Sequence, residues 1–454
     1  MKKILILFLA IVTVNWGTLL LAQEDYIPLP DVAADPDLAV AEKVVQPLTL
    51  RYGGWITPVV LDQRTSGTDL MTSVTTARLW VQSSLWANAS LYVRIKDSYL
   101  YVLNEKNMNI DDKNNVFDLD IASLTIPVYK KNIRLVLGRK YYVAGSGLVL
   151  NGRGDGGELQ IFSRFGDIKA FGMYSGWLAK EDNPYGLSSR DIADGSKRVF
   201  ASATYSKDFF YNNALYIFGV MQMDKGKEPV NIKTKYNSKY VGGGIKGVVG
   251  DALTYNAEYV YEQGTSYAQK NTITGLQEKS SINAQAVLAL LRYYVHNVAF
   301  KPIINVMYGW GTGDKDAISY NTNPGHTLKD DNRFMYFGTF LGGFALRPQL
   351  SNLHVIRPGI GFSPFYKGGD RIKEMNVVLY YSYYMKDKKE SPINGGEATL
   401  SKRFVGQAVD VMLRWPVYCD FSLFANYGLF LPGDAYLKGE LKRHFIMAGV
   451  NIVF

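Results

Sequence analysis

The residues best placed to do chemistry are cations that recur at every second position. Arg78 sits between Ala77 and Leu79, and Arg94 and Lys96 alternate with Val93 and Ile95. Arg134, Arg164, Lys169, Arg198, Lys246 and Arg414 fall on the same face by parity, against Asp118, Asp120, Glu158, Glu258 and Asp410. In a confined aqueous space, a fixed positive face lowers the barrier to anions. Salt bridges that merely satisfy the polar groups are the competing use of the same residues.

Catalytic and metal signals are weak beside this. His296, His326, His354 and His444 are scattered, with no metal-ligand spacing. Asp314 and Asp316 stand as in a calcium loop but lack its downstream Gly and Glu. Gly145-Ser146-Gly147 lacks the third glycine of a dinucleotide loop, and Arg153-Gly154-Asp155 reads as turn chemistry rather than an adhesion tripeptide. The reading is of a non-enzyme with no cofactor and no metal.

The elements that position the cations are strands. Thr76–Gln82, Leu91–Lys96, Phe117–Ile121, Glu158–Ile161, Tyr255–Tyr259 and Val409–Trp415 all alternate apolar and polar residues. The period is 2, not 3.6. The pattern persists from about Leu48 to the end, with no helical domain and no propeller-type repeat. A charged side chain facing lipid at mid-membrane costs about 2–4 kcal/mol, so in a membrane barrel the cations must point inward. Tyrosine pairs such as Tyr141-Tyr142, Tyr293-Tyr294, Tyr380-Tyr381 and Tyr383-Tyr384 suit an interfacial girdle. The last strand ends in an aromatic residue, Phe454, as in the insertion signal of bacterial outer-membrane barrels.

These features predict an all-β fold: a transmembrane antiparallel up-and-down β-barrel of about 18 strands, or 16. The candidate strand starts, one of them near Phe334, number one more than eighteen, so one of them is a loop segment or a split strand. Phe165-Gly166-Asp167 and Gly250-Asp251 read as tight periplasmic turns. Residues 180–196, 264–280, 311–331 and 386–402 read as long extracellular loops.

Composition agrees. Mean hydropathy is -0.08, too polar for a helical membrane protein, and aromatic residues make up 13%, with 32 Tyr. Met1-Lys2-Lys3, an apolar run from Ile4 to Val12 and Ala22 before Gln23 form an export signal over 1–22. Its removal takes Lys2 and Lys3 from a formal charge of +9 and leaves about +7. Those charges are scattered, which argues against a nucleic-acid partner. Residues 23–46 are an acidic, proline-containing periplasmic lead-in, and 47–454 form the barrel. Cys419 is the single cysteine and has no internal partner.

The stretch Leu137-Gly138-Arg139-Lys140, Gly145-Ser146-Gly147-Leu148 and Asn151-Gly152-Arg153-Gly154-Asp155-Gly156-Gly157-Glu158-Leu159 resembles the alginate-export family of outer-membrane porins. Tyr427-Gly428-Leu429-Phe430-Leu431-Pro432-Gly433-Asp434-Ala435 resembles that family's turn before its final strand. The resemblance implies an 18-stranded channel for passive passage of anionic solutes, with uronic-acid oligosaccharides among the candidates. It carries the family's positive constriction onto Arg139 and Arg153, with Arg51 and Arg78 as further members. Lys140 stands where the family usually has Gln. Arg139 falls on the apolar parity of Leu135 and Leu137, so reaching the lumen requires a bulge near Gly138.

The expected substrate path is therefore Arg51, Arg78, Arg94, Lys96, Arg139, Arg153, Asp155, Glu158, Arg164 and Arg414. The implied partners are outer-membrane lipids and lipopolysaccharide, the barrel-assembly machinery through the strand ending in Phe454, and anionic solutes. Three other readings compete: a general non-selective porin, a surface adhesin or receptor with a plugged lumen, and a barrel-borne lipase or protease. The last needs a Ser–His pair ordered by a third polar group. The barrel assignment predicts that the folded chain fractionates with membranes and is released only by detergent. Folded chain that stays in solution without detergent would undo it.

Overall fold

The computed structural model describes residues 49–454 apart from 66–67, 107–112, 130–131, 211, 229–230, 272–274 and 329. The leader read over 1–22 and the lead-in over 23–46 lie outside the described residues.

Eighteen strands close a single antiparallel sheet. They are β1 (Leu50–Thr65), β2 (Thr68–Ser84), β3 (Ser90–Lys106), β4 (Lys113–Tyr129), β5 (Ile133–Ala144), β6 (Leu150–Ile161), β7 (Asp167–Tyr174), β8 (Arg198–Phe210) and β9 (Asn213–Asp224). They continue as β10 (Asn237–Val249), β11 (Leu253–Tyr267), β12 (Lys279–Tyr294), β13 (Ile303–Gly311), β14 (Leu353–Phe362), β15 (Asn376–Lys386), β16 (Phe404–Tyr418), β17 (Phe421–Pro432) and β18 (Arg443–Val453). Each strand pairs with its chain neighbours, and β1 pairs with β18 from Trp55↔Val453 to Arg64↔His444. The C-terminal residue takes part in the closure: Gly54 N donates to Phe454 O at 2.8 Å and Phe454 N to Gly54 O at 2.9 Å. Among the described residues closure leaves no edge strand without a partner on either side, as hydrocarbon demands. Among the described residues no helix is long and apolar enough to cross a membrane.

The surplus strand candidate near Phe334 is not in the wall. It lies in the 312–352 loop, where Phe334 is fully buried, Asp330–Asp331 makes a short parallel bridge to β12 and Phe337 an isolated one to Leu150 of β6. The loop folds into the barrel. Tyr240 on β10 donates to Met335 O at 2.7 Å, Glu262 on β11 accepts from Met335 N, and Tyr384 on β15 donates to Gly342 O at 2.7 Å. Phe344 N reaches Asp410 on β16 at 3.2 Å.

Outward parity is apolar, with Leu79, Leu119, Leu159, Ile217 and Ile304 among the exposed residues. Inward parity is not uniformly polar, contrary to the simple alternation. Phe200, Phe218, Val220, Ile282 and Leu288 face inward and are buried within one cluster with Phe334, Phe337 and Phe344 of the loop. The wall from β8 to β12 is the seat on which the inner loop rests.

On the wall strands the tyrosine pairs split as a period of 2 requires, whereas Tyr141 and Tyr142 both lie inside, on the inward hairpin. Tyr381 is 42% exposed outward, whereas its neighbour Tyr380 lies inward beneath Arg357, 4.1 Å from the ring centroid. Tyr142 and Tyr384 are buried inside. Much of the exposed aromatic surface instead flanks the turns at the end where both described termini lie: Phe165, Phe209, Phe210, Phe300, Tyr418 and Phe454. Aromatic rings settle at membrane–water boundaries, which sets that end at an interface. The longest connections, 175–197, 312–352 and 387–403, are at the other end.

The expected bulge at Gly138 is absent. No register slip occurs in the β4–β5 ladder around Gly138 or in the β5–β6 ladder. Instead the facing glycines Gly138 and Gly156 turn both strands together, Gly138 at φ +118. Beyond them adjacent positions are buried alike (Gly152, Arg153, Gly154), because the hairpin has left the wall. Its tip touches strands across the barrel: Ser146 N and Oγ donate to Glu258 of β11 at 2.6 and 2.9 Å. A Cβ on Gly138 would lie 2.1 Å from Ala122 O, in a region of φ that costs a side chain about 1–3 kcal/mol. Gly138→Ala should lower the temperature at which the folded band converts to the unfolded band on gels, while Gly250→Ala, with nothing near its Cβ, should lower it less.

Candidate functional site

The inward hairpin brings Arg139 and Arg153 against the aspartates of β4. Arg153 Nη1 donates to Asp120 Oδ1 at 2.7 Å and to Asp118 Oδ2 at 3.1 Å. Asp120 also accepts from Arg78 Nε at 3.2 Å and Arg94 Nε at 2.7 Å. Arg139 holds Asp155 through two 2.9 Å bonds, donates to Asp118 at 3.1 Å, and caps Trp177 O and Leu119 O. Paired bonds of this kind fix direction as well as charge. The 175–197 loop adds Asp182, which accepts from both Lys96 and Arg153. Tyr185 of that loop donates to Arg153 O at 2.7 Å. On the other hairpin face, Lys140 donates to Glu158 at 3.1 Å.

Six cations (Arg78, Arg94, Lys96, Arg139, Lys140, Arg153) thus meet five carboxylates (Asp118, Asp120, Asp155, Glu158, Asp182). One positive charge is left over. Access differs more than charge does. Side chains of Arg78, Lys96, Arg139 and Arg153 are 2–8% exposed, but Arg94 keeps 16% and Lys140 21%. The four buried cations are enclosed among their carboxylate partners, and the two more open ones, Arg94 and Lys140, keep contact with solvent.

Three expected path residues lie elsewhere. Arg164 sits in the β6–β7 turn, exposed and stacked on Phe165 at 4.6 Å; the alternation had carried it onto the strand, and the strand ends before it. Arg51 has inward parity but is exposed at the barrel rim, opposite Gln82. Arg414 is inward and half-buried on β16, between Asn376 and Phe424, separated from β2 and the cluster by β17, β18 and β1. Asp182 was missed because its segment reads as a solvated loop. Lys140 registered only as a departure from the family pattern.

The hydrolase reading meets a definite geometry. Ser280, His326 and Asp331 are adjacent and buried, with His326 Nε2 2.7 Å from Ser280 Oγ and Nδ1 3.5 Å from Asp331. Arg333 Nη2 donates to Nδ1 at 3.2 Å, so Nδ1 carries the lone pair and Nε2–H donates to the serine. Burial also pushes the His326 pKa down. This is the wrong tautomer for a general base. Asp331 is instead held by Arg333 and Ser266, a loop anchor. Asp314 and Asp316 likewise accept backbone N–H groups of Asn332, Thr327 and Leu328. Among the described residues no group of side chains is arranged to hold a metal.

A closed 18-stranded barrel with loops folded into its lumen defines an outer-membrane porin. Residues 194–444 match the alginate-export family, more than half of the chain, and the chain belongs to that family. No curated protein matches it by sequence. Among solved structures it is similar to Pseudomonas aeruginosa OccK2 (OpdF), at 11% identity over 90% of this chain and 100% of that one, with a TM-score of 0.58. The same protein in complex with glucuronate gives 0.55 at 11% identity and the same coverage. Acinetobacter baumannii OccAB4 gives 0.53 at 13% identity, over 90% of this chain and 99% of that one. At such identities the likeness establishes the fold.

Asp120 is the carboxylate shared by three arginines. Removing one member of a buried ion pair costs about 3–5 kcal/mol. Asp120→Asn should therefore cost more stability than Asp155→Asn, whose carboxylate is 16% exposed. Unfolding midpoints in urea from detergent or liposomes read the difference.

Proposed function

We propose that the protein is a passive outer-membrane channel for anionic solutes, with uronic-acid oligosaccharides as the class it takes. The observation that carries this reading is the uncompensated positive charge where the hairpin meets β2–β4, presented to the lumen by Arg94 and Lys140. A fixed cation beside a low-dielectric wall raises the local concentration of anions. Two findings support the solute class: membership of the alginate-export family and the glucuronate complex of a structurally similar porin. No residue is assigned a chemical step, and passage is diffusion down a gradient.

A general non-selective porin is the second reading. It is favoured by the pairing of the buried cations, which leaves little net field. The two separate in planar bilayers under a KCl gradient. The proposal expects a reversal potential of anion-preferring sign, reduced toward zero in Arg94→Gln/Lys140→Gln. Cation preference in the unaltered protein, or an unmoved potential in the double variant, would refute it.

A further inference from the structure

The wall carries a second built feature on the terminus side of the charge cluster. Trp55 stands opposite Arg78 in the β1–β2 ladder, and Trp80 stands opposite Arg94 in the β2–β3 ladder. The guanidinium carbons of Arg78 and Arg94 lie 5.7 and 5.2 Å from the Trp55 ring centroid. Tyr92, next on the same face of β3, is stacked with Trp80, ring centroids 6.0 Å apart and planes 22° from parallel. Arg78 Nη1 is buried here with no hydrogen-bond partner.

Packing accounts for only part of this. Trp55 is used up as a cation–π support for the two guanidinium groups. Trp80 and Tyr92 share inward parity with Arg78 and Arg94, so they face water rather than lipid, and they remain half-buried. Inward aromatics with a purely structural role in this barrel, such as Phe218 and Tyr240, are covered by the inner loop and the hairpin. Gly53 lies opposite Trp80, and a Cβ there would meet both Phe454 O at 2.8 Å and the indole ring at 3.0 Å.

We propose that Trp80, Tyr92 and Arg94 form a lumenal subsite for a single hexuronic acid residue. This deepens, and rests on, the uronate reading above. A pyranose uronate offers two things side by side: an apolar C–H face and a carboxylate. The stacked aromatic pair takes the first, as flat rings take apolar faces. Arg94, the most open arginine of the cluster, takes the second by charge-assisted hydrogen bonding. A small inorganic anion uses only the arginine, and a neutral sugar only the rings, so the pair selects ligands that carry both. Successive residues of an oligouronate would dwell here in turn on the way past the cluster.

The test is block of single-channel current in planar bilayers. The probes are tri-galacturonate, its fully methyl-esterified form, and benzoate. KCl conductance of each variant serves as the control for folding and insertion. The proposal expects tri-galacturonate to block at concentrations at least tenfold below its ester. Trp80→Leu and Tyr92→Leu should each raise the half-blocking concentration, Trp80→Leu by roughly tenfold, the upper range for an aromatic contact. If Trp80→Leu fails to insert, Tyr92→Leu carries the test. Equal block by acid and ester, block by benzoate in preference to the uronate, or unchanged block in the variants would overturn the subsite. A channel that keeps anion preference in KCl but is never blocked by tri-galacturonate would sink the subsite alone. Cation preference in KCl would sink the reading beneath it.

Discussion

Everything inside the barrel hangs on the Asp118–Asp120 pair of β4 and the arginines that converge on it. Arg153 comes from a hairpin that has left the wall, Arg78 and Arg94 from the wall itself, and Asp182 from a loop 29 positions along the chain from Arg153. Three pieces of backbone that would otherwise move independently are thereby tied at one point. Buried charges are stable only when each has its partner, so the hairpin cannot swing back without stranding several charges at once. The glycines make the inward bend sterically feasible; the ion pairs hold it.

The two halves of the inner wall divide the labour. From β8 to β12 the inward row mixes apolar side chains (Phe200, Phe218, Val220, Ile282, Leu288) with polar ones (Gln222, Ser238, Glu258, Glu262), and it seats the 312–352 loop by packing and by hydrogen bonds together. From β1 to β4 the inward row is buried and apolar at Val59, Leu61, Leu70 and Val74, and charged and aromatic toward the terminus end, where Trp80, Tyr92 and Arg94 keep partial exposure. The partly exposed charged and aromatic side chains are gathered on the second wall, whereas the loop's own charged groups, such as Arg333 with Asp331, are spent on internal anchoring.

Much of this was legible in the residues, and the failures have physical reasons. The strand period, closure and strand number follow from side chains that must face either hydrocarbon or water. Phe334 misled because a buried loop inside a barrel obeys the same apolar rule as a strand; what tells them apart is that this segment forms isolated bridges rather than a continuous ladder with the wall. Arg139 was expected inward and is inward, but by a paired glycine turn, since nothing in one strand's sequence reports what faces it. Asp182 could not be found from periodicity because loops have none. Trp80 and Tyr92 could have been: they share parity with Arg78 and Arg94, a face where lipid gives no reason for an aromatic ring.

Selectivity in such a passage depends on what pairing leaves over rather than on how many cations line it. An arginine bound on both sides by carboxylates, like Arg139, contributes a nearly neutral group and a rigid shape. Arg94 differs because it shares Asp120 with Arg78 and Arg153, so one carboxylate is divided among three guanidinium groups. The excess charge belongs to the set, of which Arg94 is the arginine most open to water. Lys140 repeats the arrangement on the other face of the hairpin: Glu158 accepts from it and from Gln160 as well. A flexible ammonium held by a shared carboxylate can turn toward a passing anion at little cost, which the Gln usual in the family could not do as a charge.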